Sequence, residues 1–207
     1  ELFVKKALVE RYPRNSFTLA DKLPVPFMKT KEDAKRIFDE QLEKCGVNHF
    51  DYYLLHSLNR NHYQTALKFG CFDFIKKIKD LGYLVKLDTN GSHPEVLKSL
   101  CHSNLIDYVA MDIKHAPSRY QEICNAPSFS MEKIAESAAF LLEGTVAYEF
   151  RTTVVKELHA LKDFEEIGVW ITGADSYYLQ SYQESEQVIH PVFSSYTKKE
   201  LEDIQSL

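Results

Sequence analysis

The feature that most constrains this chain is the regular alternation of short apolar segments with amphipathic ones. Period-two or continuous apolar patterning marks strands at residues 17–22, 50–56, 83–88, 107–113 and 148–155. Between them lie helical patterns. A helix over 1–12 precedes Pro13. A second opens at Thr30 with Asp33, carries Ala34, Ile37, Phe38 and Leu42 on one face, and stops at Gly46. Residues 72–81, with Phe74, Ile75 and Ile78 apolar, form a helix ending at Gly82, and Pro94 suits the first turn of a helix to Leu100. Ser130 caps a helix to Leu142 that ends at Gly144, and the tail adds a helix over 161–167, short strands at 169–172 and 177–182, and a last helix capped by Thr197 with Glu200. Repeated strand-helix units with apolar strands predict an α/β fold, a parallel sheet with helices outside. Five to seven strands fit an incomplete parallel (βα) barrel, TIM-like in plan, better than a closed one.

The 207 residues have length for a core, and 44% hydrophobic, 27% charged and 13% aromatic residues describe a globular chain, excluding disordered, collagen-like and coiled-coil classes. A net charge of -5 leaves no excess of Lys and Arg for phosphate neutralisation, so nucleic acid is not an expected partner. No apolar run approaches a membrane span, and the opening Glu-Leu-Phe-Val-Lys-Lys lacks the basic-then-apolar order of a signal peptide. No membrane partner and a cytoplasmic location are therefore expected. Cys45, Cys71, Cys101 and Cys124 stand too far apart for a local metal or cluster motif and read as reduced, largely buried thiols. His49, His62, His93 and His115 have no ligand spacing and read as surface residues.

In parallel α/β folds the chemistry sits at the carboxyl ends of the strands. The polar residues there are Lys22, His56, Asp88 to Asn90, Asp112 with Lys114, and Arg151 to Thr153. Each has a plain structural reading beside the functional one. Lys22 and His56 either face solvent or serve a site. Asn90-Gly91 is a turn on local grounds. Asp112 and Lys114 share a face and either pair with each other or bind a ligand. Arg151 is costly to bury alone, so it meets a carboxylate or reaches the strand ends.

Two resemblances overlay this pattern. Phe-Val-Lys-Lys-Ala-Leu-Val-Glu-Arg-Tyr-Pro-Arg at 3–14, Phe-Thr-Leu-Ala-Asp-Lys-Leu-Pro at 17–24 and Gln-Leu-Glu-Lys-Cys-Gly-Val-Asn-His-Phe-Asp-Tyr-Tyr-Leu-Leu-His at 41–56 resemble the aldo-keto reductases, the group with an added iron-sulfur domain in particular. The resemblance implies an NADPH-dependent carbonyl reductase, with Lys22 lowering the pKa of a tyrosine proton donor and His56 positioning the carbonyl. It places that tyrosine, its aspartate partner and the nucleotide-binding segments outside the matching stretch, and assigns the donor role to none of the 12 tyrosines.

The second resemblance rests on Phe-Ile-Lys-Lys-Ile-Lys-Asp-Leu-Gly-Tyr-Leu-Val-Lys-Leu-Asp-Thr-Asn-Gly at 74–91 and Asp-Tyr-Val-Ala-Met-Asp-Ile-Lys at 107–114. Glu-Phe-Arg-Thr-Thr-Val-Val at 149–155 and Tyr-Leu-Gln-Ser-Tyr at 178–182 extend it. These resemble radical S-adenosylmethionine activating proteins of the anaerobic ribonucleotide reductase type. That resemblance implies S-adenosylmethionine beside Asp88, Thr89, Asn90, Asp112, Lys114 and Arg151, with His159 near, and a glycyl-radical enzyme such as anaerobic ribonucleotide reductase as partner. It also implies a [4Fe-4S] cluster on a Cys-x3-Cys-x2-Cys loop, a motif the sequence lacks. The expectation is a single barrel-like domain over 1–207, aldo-keto-reductase-like over 1–74 and radical-enzyme-like over 75–207. The leading function is an activating-enzyme-like, anaerobic oxidoreductase; the alternatives are an NADPH-dependent reductase and a non-catalytic hybrid or partner-binding scaffold.

Overall fold

The computed structural model describes residues 1–55, 60–124, 126, 129–184 and 193–206. Its strands are β1 (Ala20–Leu23), β2 (Tyr52–Leu55), β3 (Leu84–Thr89), β4 (Tyr108–Asp112), β5 (Ala147–Val154) and β6 (Tyr177–Ser181). They form a six-stranded parallel sheet in the order β1-β2-β3-β4-β5-β6, with β1 and β6 at its two ends. This is the expected α/β, incomplete-barrel architecture: each strand is laid beside its predecessor and the sheet is not closed. The helices are α1 (Leu2–Val4), which runs into a π-helical turn over Lys5–Val9, α2 (Asp33–Cys45), α3 (Arg60–Lys68), α4 (Cys71–Asp80), α5 (Pro94–His102), α6 (Tyr120–Cys124), α7 (Met131–Leu142), α8 (Leu161–Trp170) and α9 (Lys198–Gln205). The chain divides into two compact units, residues 1–88 with 100–109, and residues 89–99 with 110–207.

In the first unit, α2 turns Ala34, Phe38, Gln41 and Cys45 inward, one side chain per turn, and ends at Gly46 with φ +70°. Phe38 meets Tyr53, Phe50, Phe74 and Tyr83 edge-on at ring separations of 4.9 to 5.9 Å. The buried amide of Gln41 is satisfied twice, donating to the Lys22 carbonyl at 3.0 Å and accepting from the Tyr53 hydroxyl at 2.6 Å. Strand register sets Lys22 beside Leu54 and Leu54 beside Lys86, so these three share the face opposite Tyr53.

In the second unit, β5 alternates strictly. Tyr148, Phe150, Thr152 and Val154 are buried, while Glu149, Arg151 and Thr153 take the other face. Ser130 caps α7 by accepting from the Lys133 amide, and Ile134, Ala138, Phe140 and Leu141 pack its inner side. The turn after β3 is the tightest point. Gly91 has φ +73°, donates its amide to Thr89 Oγ1 and holds the Ser137 hydroxyl on its carbonyl at 2.7 Å.

Four local expectations need correction. Residues 169–172 are not a strand: Phe164, Ile167 and Ile171 are buried at helical spacing, and α8 runs to Trp170. β1 starts at Ala20 rather than residue 17, because the Asp51 carboxylate takes the Leu19 amide at 2.7 Å. Thr30 does not cap α2; Asp33 reaches back to the amides of Lys29 and Thr30 at 2.7 and 2.8 Å. The first helix ends within Lys5–Val9 instead of reaching residue 12, and α3 and α6 were not anticipated.

A Cβ on Gly91 would lie 2.3 Å from Cε of the buried Met111, whereas one on Gly144, also at positive φ, would meet nothing. Gly144→Ala is expected to cost about 1 kcal/mol of backbone strain and Gly91→Ala about 2–4 kcal/mol, strain plus repacking of Met111. Equal losses in urea unfolding would show that the turn is not packed as described.

Candidate functional site

β4 delivers Asp112 at its carboxyl end, on the face opposite Val109 and Met111, and β5 brings Arg151 to meet it. Arg151 Nε and Nη2 both donate to Asp112 Oδ1, at 3.2 and 3.0 Å. Asp112 Oδ2 takes Lys114 Nζ at 2.9 Å, and Arg151 Nη1 lies 3.8 Å from Glu149 Oε1. The result is a row of alternating charge, Glu149, Arg151, Asp112, Lys114. Its solvent end is open: the Lys114 side chain is 44% exposed and that of Asp112 31%, against 16% for Arg151.

The backbone beneath is pinned. The Ile113 amide donates to the Arg151 carbonyl and the Thr152 hydroxyl to the Ile113 carbonyl, both at 2.8 Å. Thr152 in turn accepts from the Tyr177 hydroxyl, a phenol that burial pushes up to about 12. The Tyr120 hydroxyl accepts from the Lys114 amide at 3.0 Å and donates to the Asp112 carbonyl, and burial raises this phenol too.

Of the residues expected to serve a cofactor, Asp112, Lys114 and Arg151 thus converge on one another. Thr89 and Asn90 form the turn that packs Gly91 on Met111, with the Asn90 side-chain oxygen accepting from the Ser92 amide and hydroxyl. Asp88 belongs to the first unit, where it lies 3.8 Å from Lys86. Lys22 is also there, exposed on β1. His56 lies outside the described residues.

His115 is not a surface residue. It is fully buried, and its ring stacks on that of buried His159 with centroids 4.8 Å apart. His115 Nε2 points at the Leu158 carbonyl at 2.9 Å, and His159 Nε2 at the Lys114 carbonyl at 3.1 Å. His159 Nδ1 lies 3.3 Å from both the amide and the carbonyl of Val155, while the Lys114 carbonyl, which can only accept, calls for a proton on Nε2. Asp163, buried below, accepts from the Ala160 amide at 2.7 Å and from Arg119 at 3.4 Å. Ligand spacing alone missed His115; the signal available was its position directly after the Asp-Ile-Lys strand exit, where β4 leaves the sheet.

The side chains do not fit an iron-sulfur cluster. Among the described residues no three of His, Cys, Asp and Glu gather to hold a metal. The four thiols occupy four different helices, and burial pushes those of Cys71 and Cys101 up to about 11, away from the thiolate a cluster needs.

Residues 1–137 match the Aldo/keto reductase family. The chain belongs to the aldo/keto reductase family. The chain is also 33% identical, over 122 residues, to a protein of Methanocaldococcus jannaschii provisionally named a glycyl-radical enzyme activating enzyme. The match covers 58% of the chain and 51% of the relative, so the chain spans about half the length of the curated relative it matches. Among solved structures it resembles a domain of the pyruvate-formate lyase-activating enzyme from Bacteroides vulgatus (TM-score 0.52, 14% identity, 65% of this chain and 81% of that one). It also resembles TYW1 with a lysine-pyruvate adduct bound (TM-score 0.57, 15% identity, 85% and 58%). At these identities the structural likeness is one of fold. Both resemblances read from the sequence are thereby found again. Among the described residues no helix is long and apolar enough to cross a membrane.

Burial holds the His159 imidazole below its ordinary pKa of 6.5. As pH falls through 6.5 the unfolded chain takes up this proton before the folded one, so folded-state stability declines. The melting temperature is expected to fall between about pH 7.5 and 5.5, less steeply in His159→Gln than in the parent. Parallel slopes would show that His159 carries none of this dependence.

Proposed function

We propose that the second unit is the cofactor-side part of a radical activating-enzyme-like oxidoreductase, with S-adenosylmethionine bound where β4 and β5 end. The observation that carries this reading is the Asp112 network. An amino-acid moiety presents an ammonium and a carboxylate side by side, and Asp112 flanked by Lys114 and Arg151 offers the complementary charges. Exchange of internal for ligand ion pairs keeps each charge compensated, which limits the desolvation cost. The Thr89-Asn90 turn is proposed to border the ligand, and Asp88 is assigned to it from the resemblance alone. The likeness to the Methanocaldococcus jannaschii protein provisionally named a glycyl-radical enzyme activating enzyme supports the reading and suggests a glycyl-radical enzyme as partner.

S-adenosylmethionine supplies, when bound and reduced, a carbon radical able to abstract hydrogen from a glycine. Among the described residues no three of His, Cys, Asp and Glu gather to hold that reductant. What Asp112, Lys114 and Arg151 do is bind and orient the amino-acid end.

Isothermal titration with S-adenosylmethionine tests this. Binding is expected for the parent chain, with Asp112→Asn and Arg151→Gln each weaker by about tenfold, on the order of 1.4 kcal/mol. Both variants are to be checked for retained secondary structure by circular dichroism. Absence of binding by the folded parent, or unchanged affinity in both variants, defeats the assignment.

The family match favours a second reading, an NADPH-dependent carbonyl reductase using Lys22 and His56. It predicts a change in NADPH fluorescence on titration and loss of carbonyl reduction in Lys22→Met. An unchanged NADPH signal would sink it.

A further inference from the structure

The two buried imidazoles of the second unit hold each other's loops. His115 follows β4 and donates to a carbonyl of the segment after β5, that of Leu158; His159 follows β5 and donates to a carbonyl at the exit of β4, that of Lys114. The rings are stacked, with 21° between their planes and centroids 4.8 Å apart, so the two exits are packed against each other as well as hydrogen-bonded. Both Nε2 atoms face carbonyl oxygens, which can only accept. Around them, His159 Nδ1 lies 3.3 Å from the amide and the carbonyl of Val155, the Asp163 carboxylate stands 3.7 Å from His115 Nε2, Arg119 shares the Leu158 carbonyl with His115, and the Tyr196 hydroxyl closes on the His159 carbonyl at 2.6 Å.

We infer that His115 and His159 form a reciprocal clasp, each donating from a protonated Nε2, that sets the position of Lys114 and so acts as a positioning device for the strand-end site. Neither ring needs to touch a ligand. The clasp acts through the Lys114 main chain, which it holds from one side while Tyr120 holds it from the other. Its role in ligand binding rests on the S-adenosylmethionine reading above; its existence does not.

Two measurements separate these claims. In histidine-selective ¹⁵N NMR of the full chain at about pH 7.5, both rings are expected to carry a proton on Nε2. An Nδ1–H tautomer with a bare Nε2 at either position overturns the clasp whatever the ligand does. Titration with S-adenosylmethionine then compares variants. His159→Ala and His115→Leu are expected to weaken binding by about tenfold, whereas His159→Gln and His115→Gln, which keep a donor near Nε2, stay within about threefold of the parent. Gly144→Ala, remote from the clasp and mildly destabilising, is the control for loss of stability alone and is expected to bind as the parent does. Equal weakening in Gly144→Ala, or no rescue by glutamine, overturns the positioning role. Correct tautomers in a parent that binds no S-adenosylmethionine overturn the positioning role as well, through failure of the ligand reading, and leave the clasp itself standing.

Discussion

The second unit depends on the ion pair between Arg151 and Asp112. A parallel strand buries one face in the helical layer, and β5 fills that face with Tyr148, Phe150, Thr152 and Val154. The opposite face then receives Glu149 and Arg151, two charged groups with little solvent left to them. A guanidinium this enclosed is tolerable only with a carboxylate in contact, and Asp112 supplies it with one oxygen accepting two donors. Once Asp112 is committed, the rest follows in order: its second oxygen takes Lys114, the exit of β4 is fixed by the Thr152, Tyr177 and Tyr120 hydroxyls, and the imidazole pair closes over the same exit.

The tyrosines bear on which chemistry the chain can support. A carbonyl reductase of the aldo-keto type wants a phenol made more acidic by a neighbouring lysine, so that it donates near neutral pH. Tyr53, Tyr120 and Tyr177 go the other way. Burial raises all three, and each already gives its proton to a fixed acceptor: Gln41, the Asp112 carbonyl and Thr152. They are pins of the architecture rather than acids in waiting, and Lys22 stands on the open face of β1, turned away from Tyr53.

What could be read from the sequence was what local chemistry decides. α2, α7 and α9 carry a start or stop signal that operates within a few residues: Gly46 at positive φ, Ser130 on the Lys133 amide, Thr197 and Glu200 in reciprocal contact. The strands stood out through the face alternation imposed by the sheet. The Asp112–Lys114 pair and the carboxylate owed to Arg151 were visible for the same reason, because two residues apart on a strand means one face. Hidden from local reading were features decided by distant partners. Residues 169–172 look like a strand until Phe164 and Ile167 show which face Ile171 continues, and β1 is shortened by a carboxylate 32 positions away in sequence. His115 is buried against a second histidine far along the chain, a contact no local pattern announces.

The same physics explains how one chain carries two likenesses. Every strand-helix unit of a parallel sheet faces identical demands: an apolar strand face, an amphipathic helix to cover it, and a polar strand exit. α4 satisfies them with Cys71, Ile75 and Ile78 inward, and a helix of that pattern serves either ancestry. The match to the aldo/keto reductase family accordingly runs to residue 137, through β4 and into α7. What the units do not share is the identity of the groups at each exit. An exposed lysine on β1 and a compensated Asp-Lys-Arg network at β4 and β5 are different chemistries on one scaffold, so the strand exits, not the fold, decide what the chain can bind.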